Sequence, residues 1–181
     1  MKKILSIGLL SLSILFAGCS NDDKDDNSGS NSISATINGK EWKGTKINSV
    51  TLIKVTSEKQ QRFDINVQDD SQMLSLACSS DLTTADTMPL KAYKFDEEND
   101  IIDALFINTY LIEGNTYTEH FVKTGTITIT SMDASKKTVS GTFNFTAEKV
   151  GVLQTKIITP EVVEVKNGVF TNVPYKVLTT P

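Results

Sequence analysis

Few residues in this chain combine the type and the setting that chemistry requires. His120 is the sole histidine among 181 residues, in Tyr117-Thr118-Glu119-His120-Phe121. A catalytic histidine needs a positioned nucleophile and an orienting acid. No Gly-x-Ser-x-Gly elbow or other nucleophile motif accompanies this one. The default for it is a solvent-facing side chain on a strand. Cys78 ends the run Leu74-Ser75-Leu76-Ala77-Cys78 and shares parity with both leucines. A reactive thiolate would need a neighbouring cation, so Cys78 reads as a small buried hydrophobe. No catalytic residue is assigned.

Asp96-Glu97-Glu98-Asn99-Asp100, followed by Asp103, is the densest carboxylate run beyond the N-terminal region. Calcium takes about six to eight oxygen ligands, which makes Asp96, Glu98, Asp100 and Asp103 the candidates for a cation. The run lacks the turn glycine and the twelfth-position glutamate of an EF-hand, so a solvated acidic loop is favoured and no metal or cofactor is assigned. A glycosidase pair would need carboxylates about 5 Å or 6.5–9.5 Å apart, a separation that a local run does not set. Trp42 is the sole tryptophan. With Tyr93, Tyr110 or Tyr117 it could line a glycan site. The competing and favoured reading has Trp42 closing one end of a β core behind the Asn38-Gly39 turn.

Composition narrows the classes. There are 18 Lys and Arg against 22 Asp and Glu, a net charge of -4. A nucleic-acid binder would carry a clustered basic excess. A hydrophobic content of 39% is enough for a core. One histidine and two cysteines leave no material for a zinc ribbon or a disulfide framework.

The N-terminus reads as an address. Lys2 and Lys3 precede the apolar run Ile4 to Leu15, the build of an export signal and too short for a bilayer span of roughly 20 residues. Phe16-Ala17-Gly18-Cys19 follows and resembles the lipobox of bacterial lipoproteins, in which the cysteine is acylated and becomes the new N-terminus. Phe16 stands where Leu is usual. Asn21 to Asn31 contains no apolar residue, the composition of a solvated tether. Its aspartates close behind Cys19 resemble the signal that sends Bacteroidota lipoproteins to the outer face of the outer membrane. Removing Lys2 and Lys3 leaves 16 basic and 22 acidic residues, net -6, with half of that excess in the tether. The expected organisation is a signal at 1–18, an acylated Cys19 with a tether at 19–31, and one domain at 32–181.

Beyond the tether, period two dominates. Phe63, Ile65 and Val67 alternate with polar residues, as do Ile127 and Ile129, and then Val139, Phe143 and Phe145. Such alternation puts apolar side chains on one face of a sheet. Asn38-Gly39, Asp69-Asp70-Ser71, Gly114-Asn115, Asp133 to Lys137 and Asn167-Gly168 supply turns. Strands are predicted near 32–38, 45–56, 61–68, 72–79, 90–95, 103–112, 116–123, 125–132, 138–148, 152–159 and 162–173. The class is all-β, an antiparallel sandwich or a flattened barrel of about ten strands. Residues 97–105 also fit one short helix, because Ile101, Ile102 and Leu105 share a helical face.

Ile37-Asn38-Gly39-Lys40-Glu41-Trp42, the hairpin Thr138-Val139-Ser140-Gly141-Thr142-Phe143-Asn144-Phe145-Thr146-Ala147 and the closing stretch Lys166 to Tyr175 together resemble an uncharacterised family of Bacteroidota lipoproteins that carries a domain of unknown function. These motifs are hairpin and core patterns, so the resemblance implies a fold and brings no catalytic residues. Asp86-Thr87-Met88, in a Thr-rich loop before Pro89, resembles the O-glycosylation signal of exported Bacteroidota proteins, which would put a surface glycan on Thr87.

The expectation is an outer-membrane lipoprotein, a monomer anchored through its N-terminal lipid and exposed at the cell surface. Its partner would be a glycan or a surface protein rather than nucleic acid. The alternatives are a polysaccharide hydrolase and a lipocalin-like carrier of an apolar ligand.

Overall fold

The computed structural model describes residues 30–96, 104–112, 115–149 and 160–181. The export signal, Cys19, the tether up to residue 29, the carboxylates Glu98, Asp100 and Asp103, and the strand expected at 152–159 lie outside these residues.

The chain is all-β. Among the described residues eleven strands follow in order: β1 Ser32–Ile37, β2 Lys40–Lys43, β3 Lys46–Val55, β4 Gln60–Gln68, β5 Gln72–Asp81, β6 Ala92–Asp96, β7 Ala104–Ile112, β8 Asn115–Asp133, β9 Thr138–Lys149, β10 Val162–Pro174 and β11 Lys176–Thr180. They hydrogen-bond along the path β11-β3-β4-β5-β7-β8-β9-β10-β1-β2, with β6 beside β8. All pairs are antiparallel except β11 with β3. The path ends on β11 and β2 without closing, so this is a sandwich and not a closed barrel.

The two layers meet because the chain crosses between the ends of the path twice. Gly44 and Thr45 carry it from β2 to β3, where the Thr45 N–H donates to Gln68 O at 2.9 Å. Tyr175 carries it from β10 to β11 and sets its ring edge-on to Phe63, with centroids 6.4 Å apart. The enclosed core is one cluster. Ile33, Val163, Val165 and Phe170 from β1 and β10 share it with Leu52, Phe63, Ile65 and Leu74 from β3, β4 and β5. Fully burying a side chain of this size contributes roughly 1.5–3 kcal/mol.

The expected Asn-Gly hairpin forms between β1 and β2. Asn38 and Gly39 both take positive φ, 48° and 77°, as a type I′ turn requires. Asn167-Gly168, by contrast, makes no turn. β10 runs straight through it, and Asn167, at φ 52°, sits in a bulge where the register slips between Val165 and Gly168. The two strands expected at 116–123 and 125–132 are one, β8. Its Gly125 does not break the strand but stands in register between Phe95 of β6 and Phe145 of β9. Of the helix expected near 97–105, residues 97–103 lie outside the described residues, and Ala104 and Leu105 begin β7.

Candidate functional site

One connection is strapped down tightly. Leu82 to Lys91, between β5 and β6, pushes Met88 into the core at 1% exposure. Polar residues on the inward faces of the neighbouring strands hold the strap. Lys54 shares parity with Val50 and Leu52, and its Nζ donates to Ala85 O at 3.0 Å and Thr84 O at 3.4 Å. Gln61, aligned with Phe63 and Ile65, donates to Thr87 O at 3.0 Å. Lys137 Nζ reaches Asp86 Oδ2 at 2.7 Å, and the Tyr175 hydroxyl donates to Asp86 O at 2.6 Å. The Lys137 ammonium, joined by Lys54, holds the Asp86 carboxyl below its ordinary value. Burial, reinforced by the nearby charges of Asp86 and Asp133, pushes the Tyr175 phenol up. These partners are structural.

A cleft of about 410 Å³ opens elsewhere, where the β1–β2 turn, the β4–β5 turn, the end of β7 and Pro160 converge. Ile37, Lys40 and Trp42 line one side, and Asp69, Gln72 and Tyr110 the other. The β4–β5 turn is rigid, because Asp69 Oδ1 accepts from the N–H groups of Ser71 at 2.8 Å and Gln72 at 2.6 Å. Trp42 is 7% exposed, and its indole Nε1 has no hydrogen-bond partner among the described residues. A buried N–H without an acceptor costs about 1–3 kcal/mol. A second cleft, of about 550 Å³, lies along β1 and β2 and is lined by Ser34, Ala35, Thr36, Glu41, Trp42, Lys43 and Asn167. Glu41 and Trp42 border both clefts.

The structure thus unites two of the four aromatic residues singled out in the sequence. Trp42 belongs to the core, as favoured, and also borders the clefts. Tyr110 lies in the cleft, and Tyr117 pairs with Tyr110 across the β7–β8 ladder. Tyr93 stands apart, fully buried, with its hydroxyl donating to Pro89 O at 2.7 Å. Thr87 is half-buried on the strap, and Cys78 is buried beside Leu74 and Leu76. His120 departs from the expected solvent-facing position. It is 1% exposed behind the cleft, with Nε2 at 2.8 Å from Pro160 O and its ring 6.0 Å from Tyr110. A carbonyl partner requires the proton on Nε2, which leaves Nδ1 as a buried atom with no partner among the described residues.

Sequence reading missed Lys40, Asp69 and Gln72, whose roles come from turns that meet only in the fold. It also missed Lys54 and Gln61, which carry a legible signal, since each is a polar residue in an inward-facing position of an alternating strand. Among the described residues no group of three or more His, Cys, Asp or Glu is placed to hold a metal ion. No helix among them is long and apolar enough to cross a membrane.

Residues 29–174 match the family model of a domain of unknown function, DUF6252. The chain belongs to that family. The DUF6252 match takes in β1 through β10, both clefts and the strap, and stops at Pro174, before the Tyr175 crossing and β11. No curated protein and no solved structure matches the chain.

Proposed function

We propose that this protein is a non-enzymatic binding module of the bacterial envelope, which holds a partner at the clefts that border β2. The observation that carries the reading is the cleft that brings Trp42, whose indole N–H has no partner among the described residues, together with Tyr110, Gln72, Asp69 and Lys40. An aromatic wall with a few converging polar groups is the usual make-up of a recognition site. His120 is taken up by the Pro160 carbonyl, which favours binding over acid–base chemistry.

The address completes the proposal. The chain is a Bacteroidota lipoprotein, cleaved before Cys19, acylated on that cysteine and shown at the cell surface on the acidic tether. Several acyl chains, at about 0.8 kcal/mol per buried CH₂, anchor it stably. β1 joins the tether at Ser32 and leads to Ile37 at the cleft. Thr87 on the strap carries a glycan, half-exposed and clear of both clefts.

Calorimetric screening of the full-length protein in detergent against envelope glycans and peptides tests the binding reading. A ligand bound by wild type and lost in Tyr110→Ala supports it. Equal binding by both proteins, or no ligand in either class, refutes it. Labelled palmitate entering the wild type but not Cys19→Ala tests the anchor, and the absence of label from wild type would sink it.

A further inference from the structure

β2 ends the hydrogen-bonded path, so one of its edges has no neighbouring strand among the described residues. Ladder geometry tells which backbone groups face that edge. The Gly44 N–H donates to Ile33 O at 3.0 Å, and Ala35 stands opposite Trp42 and Ile37 opposite Lys40 in the same register. Residues of an antiparallel pair turn their N–H and C=O toward and away from the partner alternately. Gly44, Trp42 and Lys40 therefore face β1. Glu41 and Lys43 turn theirs outward, and no partner for these groups occurs among the described residues.

The two clefts meet at this edge, where both are bordered by Glu41 and Trp42. Ser34, Thr36, Glu41 and Lys43 are outward-facing residues of β1 and β2, and they line the larger cleft. Trp42 and Ile37 are inward-facing, and they line the smaller one with Tyr110 and Gln72. An extended peptide laid along a sheet edge sends alternate side chains to opposite faces. An edge without a partner among the described residues and bordered by two clefts has the shape that such a peptide fills.

We infer that β2 receives an extended segment of a partner protein as an added strand, paired to the backbone of Glu41 and Lys43. Alternate side chains of the segment enter the two clefts. Apolar or aromatic ones lie against Trp42, Tyr110 and Ile37, and small polar ones lie over Ser34, Thr36 and Asn167. The segment carries no proline at the positions facing Glu41 and Lys43. This rests on the binding reading above and names the kind of partner. A glycan could fill one cleft, but it would make no use of a strand edge between two.

Random displayed peptides selected on the full-length protein provide the probe, and the selected sequence is then synthesised with N-methyl amides at alternate residues. Methylation of one alternating set is expected to lower affinity at least about tenfold, and methylation of the other set to leave it nearly unchanged. Lys43→Pro removes an outward N–H while sparing the ladder to β1, a position where edge strands tolerate proline. It is expected to melt close to wild type and to lose the peptide about tenfold, whereas Lys43→Ala keeps it. Equal tolerance of both methylation patterns, full binding by Lys43→Pro, or the selection of no peptide at all overturns strand addition. A glycan that binds wild type and Lys43→Pro alike, and is lost in Tyr110→Ala, also overturns it while the binding reading stands.

Discussion

Trp42 and Tyr110 border one cleft although β2 and β7 lie in different parts of the strand path. Neither forms the site alone. Trp42 brings a core ring whose N–H has no partner among the described residues, and Tyr110 brings a half-buried ring from β7, backed by the buried His120.

The two aromatic residues are expected to separate in mutation. Trp42→Ala empties a core position and costs about 3–5 kcal/mol of stability. Tyr110→Ala costs about 1 kcal/mol and removes ligand binding. Urea unfolding beside a binding titration distinguishes the two. A Tyr110→Ala protein that binds normally contradicts the site.

Lys54 is nearly buried and serves two strap carbonyls. Lys54→Met removes the donor to Thr84 O and one of two donors to Ala85 O, which keeps the Thr83 hydroxyl, at a cost of about 1 kcal/mol. The strap then opens below the global unfolding energy, and limited proteolysis is expected to cut between Leu82 and Lys91. A strap that stays resistant shows that Gln61, Lys137 and Tyr175 hold it without Lys54.

Asp86 and Asp133 both lie below the ordinary carboxylate value of 3.8, Asp86 chiefly through its bond from Lys137 and Asp133 through the N–H groups of Lys136 and Ser135. A lowered folded-state value means that the unfolded chain binds more protons. The stabilisation is therefore complete above 3.8 and is lost as pH falls through the lower folded-state value. Asp86→Asn is expected to be less stable than wild type at neutral pH, with the gap closing below that point. A gap that holds constant into acid would show that charge has no part in the effect.

Gly141 stands opposite Phe170 and Gly168 opposite Phe143, and the two rings stack with centroids 6.5 Å apart. A Cβ on Gly141 would lie 2.1 Å from Thr128 O, and one on Gly168 would lie 2.5 Å from Phe143 O. Backbone cannot yield as a side-chain tip does. Gly141→Ala and Gly168→Ala are each expected to cost about 1–3 kcal/mol by thermal melting. Unchanged melting would show that the ladder can spread.

How much of this was legible in the sequence depended on what each residue answers to. Phe63, Ile65 and Val67 alternate because one face is buried, and β4 appears where that pattern predicts. The hairpin at Asn38-Gly39 follows from local backbone preference alone. β2 itself, Lys-Glu-Trp-Lys, has one apolar residue and no alternation to read, and β11 has nearly every residue exposed. Both are edge strands defined by their neighbours. Asn167-Gly168 has the chemistry of a turn, and only pairing with β9 and β1 makes it a bulge. The cleft was half legible, since Trp42 and Tyr110 stood out as aromatic residues. Their meeting depends on two crossings between layers, which no local pattern encodes. His120 was misplaced for the same reason. Its partner is the Pro160 carbonyl, far along the chain, and a lone polar residue on a strand gives no sign of it.

Because Trp42 is the sole tryptophan, the protein gives one indole N–H signal in a nitrogen–proton NMR spectrum. Titration with a ligand from the binding screens tests the central claim directly. The account predicts that this signal moves when ligand occupies the cleft beside the Trp42 ring, together with the amides of Lys40 to Lys43 and Asp69 to Gln72. A bound ligand that leaves the indole signal in place and shifts residues elsewhere would contradict it.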